Sequence, residues 1–390
     1  MKKKVCALIL GGHVNGYSII QELHGEGIRD IVLFDSEKRA AAYSNMINRF
    51  IQIKNSPDNL YSALLELNND YSYIIIFPTS DIHIENLHKI YDQIDSFCFV
   101  PFNKDNILEY SNKIAQYSMC EKIGVPYPKT ICIGNDEDLS SLNLLTYPII
   151  IKPNKRSGLN PDLFRNIIID DYSQIEHAVV TMRGYFSKGT SFIASEIIPG
   201  DGTNIYAYVG YRSKEGIIIN EWTGKKLSQN PNEFGVFASA SNQAPLEILQ
   251  YGQDLLTSMN VYGIAEPEFK YDSRDNKYKL IEINFRSMMW HRIGSITGVK
   301  IQNSQYLDAQ GTEVLKYDQN KDDEIHFTYL RHEFSNLIMR KKYMSTFIRN
   351  IFESDRTYYA FFSLNDPLPF IIDAANLVFD SLKALINRIG

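Results

Sequence analysis

Cysteine is scarce in this chain of 390 residues. The four cysteines are widely separated, and no two of them form the Cys-x-x-Cys spacing that is typical of zinc and redox sites. A disulfide framework would also need cysteines that pair in a small, loop-rich chain. We therefore expect four reduced thiols, at Cys6, Cys98, Cys120 and Cys132.

Long hydrophobic runs are absent as well. A membrane-spanning helix needs about 18 consecutive apolar residues, and the nearest candidate, 368–389, is interrupted by four charged residues. Three lysines precede the apolar run 5–10, but that run ends at Gly11 and Gly12, which is too short for a signal peptide. These patterns predict a soluble, cytoplasmic protein without a transmembrane segment.

The chain also has no excess of positive charge. The chain has 40 Lys and Arg residues against 46 Asp and Glu residues, a formal net charge of −6. This balance gives no electrostatic reason to expect nucleic acid as a partner. Hydrophobic residues make up 44% of the chain, which is enough to bury a core, and the length suggests two or three domains.

The order of apolar segments predicts the fold class. In the first hundred residues, short apolar runs at 5–10, 31–34 and 73–77 alternate with helical patterns, which predicts a doubly wound α/β domain around a parallel sheet. Strand and hairpin patterns dominate from 129 to 284, which indicates an α+β region, and the chain after residue 300 is mainly helical.

A glycine-rich turn follows the first predicted strand. Gly11, Gly12 and Gly16 lie between that strand and the next helix, where backbone N–H groups can hold an anion. Asp35, at the end of the second strand, has the position of a ribose-binding acid in dinucleotide folds. The spacing departs from Gly-x-Gly-x-x-Gly, so packing, substrate-anion binding and a dinucleotide site remain alternatives.

Acidic residues recur in a predicted hairpin. If its strands pair symmetrically about Asp275, Glu268 lies opposite Glu282. The two-residue strand period then places Glu282, Asn284 and Arg286 on one face. Like charges at such close range destabilise a sheet unless a cation lies between them. Two carboxylates and an amide oxygen are suitable Mg²⁺ ligands, and Mg²⁺ takes the rest of its ligands from water and phosphate. Arg286 could contact a phosphate group that is bound to this ion. The alternative interpretation is a solvated strand face without a bound ion.

This pattern resembles the ATP-grasp superfamily, in the branch of carbamoyl-phosphate synthase-like and D-aspartate ligase-like carboxylate–amine ligases. The similarity covers about residues 5–300, and its most specific part is Glu268 with Glu282-Ile283-Asn284-x-Arg286. It implies an N-terminal α/β domain at 1–104, a two-lobed ATP-grasp region at 105–304 and a mainly helical C-terminal extension at 305–390.

The resemblance also implies a nucleotide site. Lys113 and Lys152 would bind phosphates, with the loop 154–158 covering them. The segment 192–201 resembles the strand that reads adenine through its backbone. The implied ATP-binding residues are Lys113, Lys152, Glu196, Ile198 and Asp201, and the implied metal ligands are Glu268, Glu282 and Asn284.

The implied reaction is amide formation with ATP and Mg²⁺, with Mn²⁺ as an alternative ion. Lys226 resembles a residue that contacts the γ-phosphate and the acyl phosphate, and it is preferred to Lys225 because adjacent strand residues face opposite sides. With Arg286 it forms the implied catalytic pair. No Ser/His/Asp or Cys/His arrangement stands out, and an acyl-phosphate route needs no side-chain nucleophile.

Two rival functions stay open from the sequence alone. One is a nucleotide-binding module of the same fold without chemistry, and the other is a dinucleotide oxidoreductase built on the glycine-rich turn. The expected partners of the ligase are a small carboxylate, here an amino acid or similar acid in cell-envelope or peptide metabolism, and an amine. A homodimer is compatible with the sequence. The helix at 376–389 has an apolar side, which permits either peripheral membrane contact or packing on the protein.

Overall fold

The computed structural model describes residues 4–154, 163–164, 166–232 and 235–389, with side chains up to residue 379. Clustering of contacts divides the chain into two compact units. Unit 1 comprises residues 1–107, 201–267 and 284–390, and unit 2 comprises residues 108–200 and 268–283. The three domains expected from the sequence stay a prediction.

A five-stranded parallel sheet forms the N-terminal part of unit 1, in the order β3-β2-β1-β4-β5. This topology confirms the predicted parallel α/β arrangement. Its elements are β1 (Val5–Leu10), α1 (Val14–Gly25), β2 (Ile31–Asp35), β3 (Arg49–Gln52), α2 (Pro57–Asn68), β4 (Tyr73–Pro78), α3 (Asp81–Lys89), α4 (Tyr91–Ile94) and β5 (Cys98–Phe99).

The glycine-rich turn after β1 has a packing role. Gly11 has a φ of 97°, a conformation that favours glycine. A Cβ atom on Gly16 would lie 1.9 Å from the carbonyl oxygen of Gly11, so α1 approaches the turn too closely for a side chain. The Asp35 carboxylate accepts a hydrogen bond of 2.7 Å from the Gly12 N–H and so holds the turn closed.

A four-stranded antiparallel sheet, in the order β6-β9-β7-β8, forms the centre of unit 2. Its own hydrophobic core includes Ile149, Ile151, Met182 and Phe192. The elements are α5 (Ile107–Tyr110), α6 (Lys113–Ile123), β6 (Thr130–Ile133), β7 (Ile149–Pro153), β8 (Ile167–Ile169), α7 (Ile175–Phe186) and β9 (Phe192–Glu196).

Two helices, α5 and α6, follow each other closely between residues 107 and 123. The Asn112 side chain accepts a hydrogen bond of 2.8 Å from the Ile114 N–H, so it caps a new helix, α6, that starts at Lys113. Gly124 ends this helix in the left-handed conformation. The two helices stay separate because a polar cap residue competes with helix continuation.

A seven-stranded sheet has the order β14-β13-β10-β11-β12-β15-β16. Strands β13 and β14 run through both units, because the chain passes from unit 1 to unit 2 within β13 and returns at the end of β14. The elements are β10 (Ile205–Arg212), β11 (Ile218–Asn230), β12 (Val236–Ser241), α8 (Leu246–Ser258), β13 (Gly263–Asp272), β14 (Lys277–Asn284), α9 (Arg292–Ile296), α10 (Ile301–Asp308), β15 (Ile325–Thr328), α11 (Leu330–Met339), α12 (Met344–Phe352), β16 (Arg356–Tyr359) and α13 (Leu368–Ile389).

The C-terminal part of the chain contributes strands as well as helices. Strands β15 and β16 were not predicted, and they extend the seven-stranded sheet beyond β12. The first turns of helix α13 pack on the unit 1 core through Phe370 and Ile372, and the choice between packing and membrane contact for residues 376–389 stays a prediction. No helix among the described residues is long and apolar enough to cross a membrane.

Candidate active site

Lys113 and Glu282 meet in unit 2. The Lys113 ammonium donates hydrogen bonds to a Glu282 carboxylate oxygen at 3.0 Å and to the Ile281 carbonyl oxygen at 2.9 Å. Burial disfavours the charged ammonium, but the carboxylate of Glu282, together with Tyr117 and Glu268, outweighs burial and raises the pKa of Lys113. Glu268 and Glu282, the two predicted metal ligands in unit 2, therefore both raise the pKa of Lys113.

Helix α6 is held against β14 by further hydrogen bonds. The Gln116 side chain accepts from the Ile283 N–H at 3.0 Å and donates to the Ile283 carbonyl at 3.2 Å. The Tyr117 hydroxyl donates to the Ile281 carbonyl at 3.0 Å. Because these bonds occupy backbone groups on both sides of Glu282, they fix the position from which its side chain projects.

The turn between β13 and β14 is tied by charge. Asp272 is fully buried and accepts hydrogen bonds from Arg274 at 2.7 Å and from Lys279 at 2.8 Å. The Arg274 guanidinium, with Lys279, holds the pKa of Asp272 well below its usual range. The predicted hairpin therefore exists. The direct opposition of Glu268 and Glu282 stays a prediction.

The predicted metal ligands differ in burial. Glu268 and Asn284 are 3% and 8% exposed, whereas the Glu282 side chain is 40% exposed. Among the described residues, the Asn284 amide nitrogen is buried without a hydrogen-bond partner. No three described His, Cys, Asp or Glu side chains form a metal-binding group. Two carboxylates and an amide still suit Mg²⁺, which takes its other ligands from water and phosphate.

Lys226 lies in unit 1 on β11, and strand alternation separates it from Lys225. Lys226 is buried, with its ammonium 6.0 Å from the centre of the Trp290 ring, whereas the Lys225 ammonium lies over the ring of Tyr206. The two lysines therefore have different surroundings, which is consistent with adjacent strand residues that face opposite sides. The role of Lys226 stays a prediction.

A buried pair in unit 1, formed by His291 and Glu266, was not identified in the sequence analysis. His291 Nε2 lies 2.5 Å from a carboxylate oxygen of Glu266, and both side chains are almost fully buried. Trp222 packs edge-on against Trp290 and His291, at 5.4 and 5.8 Å between ring centres. The sequence held a partial indication of this pair. Alternate residues of a strand share one side, which puts Glu266 on the same side of β13 as Glu268.

Arg286 has a protein partner in unit 1. Its guanidinium donates two hydrogen bonds to the Asp81 carboxylate, at 2.6 and 3.2 Å. Asp81 is the first residue of α3 and its side chain is 76% exposed. The predicted phosphate contact of Arg286 stays a prediction, and the Asp81 pairing gave no sequence signal, because the two residues are far apart in the chain.

The remaining predicted nucleotide residues are described separately in each unit. In unit 2, Lys152 lies near the end of β7, and the Glu196 carboxylate accepts from the Thr146 N–H at 2.9 Å. The carbonyl oxygen of Ile198 accepts from the Lys270 ammonium at 2.8 Å. In unit 1, Asp201 accepts from the Thr203 N–H at 2.9 Å. Residues 155–158 of the predicted phosphate loop lie outside the described residues.

Comparison with known proteins identifies a relative in sequence and several similar folds. The chain is 23% identical over 301 residues to D-aspartate ligase from Enterococcus faecium, and the match covers 72% of this chain and 70% of the relative. No family model matches the sequence. Solved structures of low sequence identity have a similar overall fold.

One such structure is N5-carboxyaminoimidazole ribonucleotide synthetase in complex with ADP, with a TM-score of 0.64, 12% identity and coverage of 87% of this chain and 86% of that chain. Another is L-amino acid ligase from Bacillus licheniformis, with a TM-score of 0.52, 16% identity and coverage of 73% and 68%. The chain is therefore similar to D-aspartate ligase in sequence and to these two proteins in fold, in line with the resemblance to ATP-grasp proteins found in the sequence.

Proposed function

We propose that this protein joins a carboxylate to an amine at the expense of ATP, through an acyl phosphate, and releases ADP and phosphate. The observation that carries the proposal is the acidic pair of the β13–β14 hairpin, Glu268 and Glu282, acting on the half-buried Lys113. Carboxylates grouped in this way around a cation, in an ATP-grasp fold, suit the binding of a metal–triphosphate complex.

The chemistry divides into two steps. A carboxylate oxygen attacks the γ-phosphorus of ATP, the bond to the β-phosphate oxygen breaks, and an acyl phosphate and ADP result. The amine then attacks the acyl carbon, phosphate leaves, and the amine loses a proton to solvent. Charge spreads over the phosphoryl oxygens during the first step, so positioned cations supply most of the catalysis.

The chain's own residues would provide these cations. Lys113 and Lys152 would bind the phosphates of ATP, and Lys226 and Arg286 would stabilise charge on the transferred group. The backbone of Glu196 and Ile198 would bind adenine, with Asp201 at the ribose. Glu268, Glu282 and Asn284 would hold Mg²⁺ or Mn²⁺, which neutralises charge on the transferred phosphoryl group when bound.

The substrate class follows from the relatives. D-aspartate ligase and L-amino acid ligase are named for amino-acid substrates. We therefore propose an amino acid or a similar small acid as the carboxylate, in cell-envelope or peptide metabolism. The amine remains to be found by a substrate panel.

A coupled assay of ADP and phosphate release tests this function. The purified protein with Mg-ATP is expected to release both products only when a carboxylate and an amine are supplied together, with an amide detected by mass spectrometry. Assays with the carboxylate alone and the amine alone are the controls. ATP binding without turnover over a broad panel of acids and amines would instead favour a regulatory nucleotide-binding module.

Adjacent lysines on β11 allow a matched comparison. Lys226→Met is expected to lower kcat about 100-fold, because a buried ammonium near the transferred phosphoryl group acts mainly in the transition state. Lys225→Met removes the same charge from the other side of the strand and is expected to change kcat less than about twofold. Equal effects in the two variants would contradict the assignment of Lys226, and steady-state kinetics of ADP release would measure both.

A further inference from the structure

Helices α11 and α12 expose a group of large apolar side chains. The six residues are between 42% and 82% exposed, and all lie in unit 1. Scattered single apolar residues are normal on a protein surface, whereas a local group of them marks an interaction site. We call this group the α11–α12 surface; it comprises Phe334, Ile338, Met339, Met344, Ile348 and Phe352.

Helix α12 exposes one apolar side. Its apolar residues Met344, Ile348 and Phe352 recur every four positions, on one side of the helix, and they are exposed. Its polar Asn350 is fully buried and donates a hydrogen bond of 3.1 Å to the buried carboxylate of Glu333. The inward side of α12 therefore combines the polar Asn350 with the buried Ile351, and the side formed by Met344, Ile348 and Phe352 faces away from the core.

The two helices are in contact. Phe334 of α11 packs against Phe347 of α12, with 5.6 Å between the ring centres. In the connection between the helices, the Arg340 guanidinium stacks on the Tyr343 ring at 4.3 Å. Tyr343 is itself anchored, because its hydroxyl donates to Glu333 at 2.9 Å. The exposed apolar groups are thus carried by a well-supported framework.

Positive charge accompanies these apolar groups. Residues 334–352 contain four basic residues and no acidic residue, although the whole chain has a net charge of −6. Lys341, Lys342 and Arg349 are exposed. Apolar side chains flanked by lysine and arginine are the composition of helices that lie at an anionic bilayer surface, where the basic heads reach the lipid phosphates.

We propose that the α11–α12 surface docks on a membrane that contains anionic phospholipid. A bilayer interface accepts apolar side chains and attracts the accompanying cations at once. A second copy of this chain fits less well, because a two-fold contact through the same surface would bring its four cations against four identical ones. This inference concerns an interaction surface and does not depend on the proposed ligase activity.

Sedimentation with large unilamellar vesicles tests the proposal on the full chain. Wild-type protein is expected to sediment with vesicles of phosphatidylcholine and phosphatidylglycerol, and to stay in the supernatant with phosphatidylcholine alone. Lys341→Glu with Lys342→Glu is expected to weaken partitioning about 30-fold or more, since each basic residue near an anionic surface contributes about 1 kcal/mol. Met344→Ser with Phe352→Ser is expected to weaken it at least about 10-fold.

Matched control variants distinguish the effect of this surface on partitioning from general effects of charge and hydrophobicity. Lys122→Glu with Lys277→Glu changes two exposed lysines of unit 2, and Ile217→Ser with Leu246→Ser changes two exposed apolar residues of unit 1. Neither pair is expected to alter partitioning more than about twofold, apart from the small effect of net charge.

Three results would overturn the proposal. The first is wild-type protein that stays in the supernatant with anionic vesicles. The second is partitioning that the basic and the apolar variants both leave unchanged. The third is a concentration-dependent dimer, seen by analytical ultracentrifugation, that Met344→Ser with Phe352→Ser dissociates, which would identify a second copy as the occupant. The two variants act through different forces, so misfolding of one leaves the other as a test.

Discussion

Replacing Glu268 or Glu282 by glutamine is expected to lower ATP-dependent product formation by at least about 100-fold. Each change keeps the size of the side chain but removes the negative charge that would hold the metal–triphosphate complex. Lys113 would remain in place after either change, because α6 is tied to β14 through Gln116 and Tyr117. The measurement is the rate of ADP release at several Mg²⁺ concentrations.

The dependence on Mg²⁺ distinguishes ligand loss from a folding defect. A variant that has lost one ligand should need more Mg²⁺ to reach half of its maximal rate, and its thermal midpoint without ATP should stay close to that of the wild type. Glu121→Gln, an exposed change on the same helix as Lys113, serves as the control and should keep full activity. Normal turnover in Glu268→Gln and Glu282→Gln would remove the basis of the ligase proposal.

Replacing Glu333 by alanine is expected to lower the free energy of unfolding by about 3 kcal/mol or more. The Glu333 carboxylate is fully buried and accepts hydrogen bonds from Ser228, Ser239, Tyr343 and Asn350. Its removal leaves several buried donors without their acceptor, and each such donor carries a desolvation cost. The effect should be structural and separate from nucleotide chemistry.

Tryptophan fluorescence during urea unfolding measures this loss. The chain has only two tryptophans, Trp222 and Trp290, and both lie in unit 1 with Glu333. Their signal therefore reports on the unit that contains the substitution. Glu353→Ala, an exposed change at the end of α12, should stay within about 0.5 kcal/mol of the wild type. A loss of similar size in both variants would argue against the buried hydrogen-bond cluster as the cause.

Local patterns were sufficient for much of the fold. The strands at Val5–Leu10 and Tyr73–Pro78 were predicted within one residue, because a run of apolar residues bounded by polar or glycine residues leaves little choice of structure. The hairpin of β13 and β14 was also expected from its polar turn. Strands β15 and β16 were missed, since four-residue strands among helical segments carry a weak pattern.

The candidate site was only partly predictable, because the sequence shows local patterns but not contacts between distant residues. Glu268, Glu282 and Asn284 stand out because the strand period brings polar residues to one side within a short segment. The pairing of Arg286 with Asp81 joins residues 205 positions apart, and the pairing of His291 with Glu266 depends on where the chain turns after β14. Neither contact has a local signature.

The sequence by itself determined the parallel N-terminal sheet, the acidic hairpin and the resemblance to ATP-grasp proteins, because each depends on residues that are close in the chain or follow in a set order. Only the tertiary structure decided that Lys113 pairs with Glu282, across 169 positions, and that α12 turns Asn350 inward and Phe352 outward. Helical periodicity specifies which residues share a side of a helix, but packing against the rest of the chain decides which side is buried.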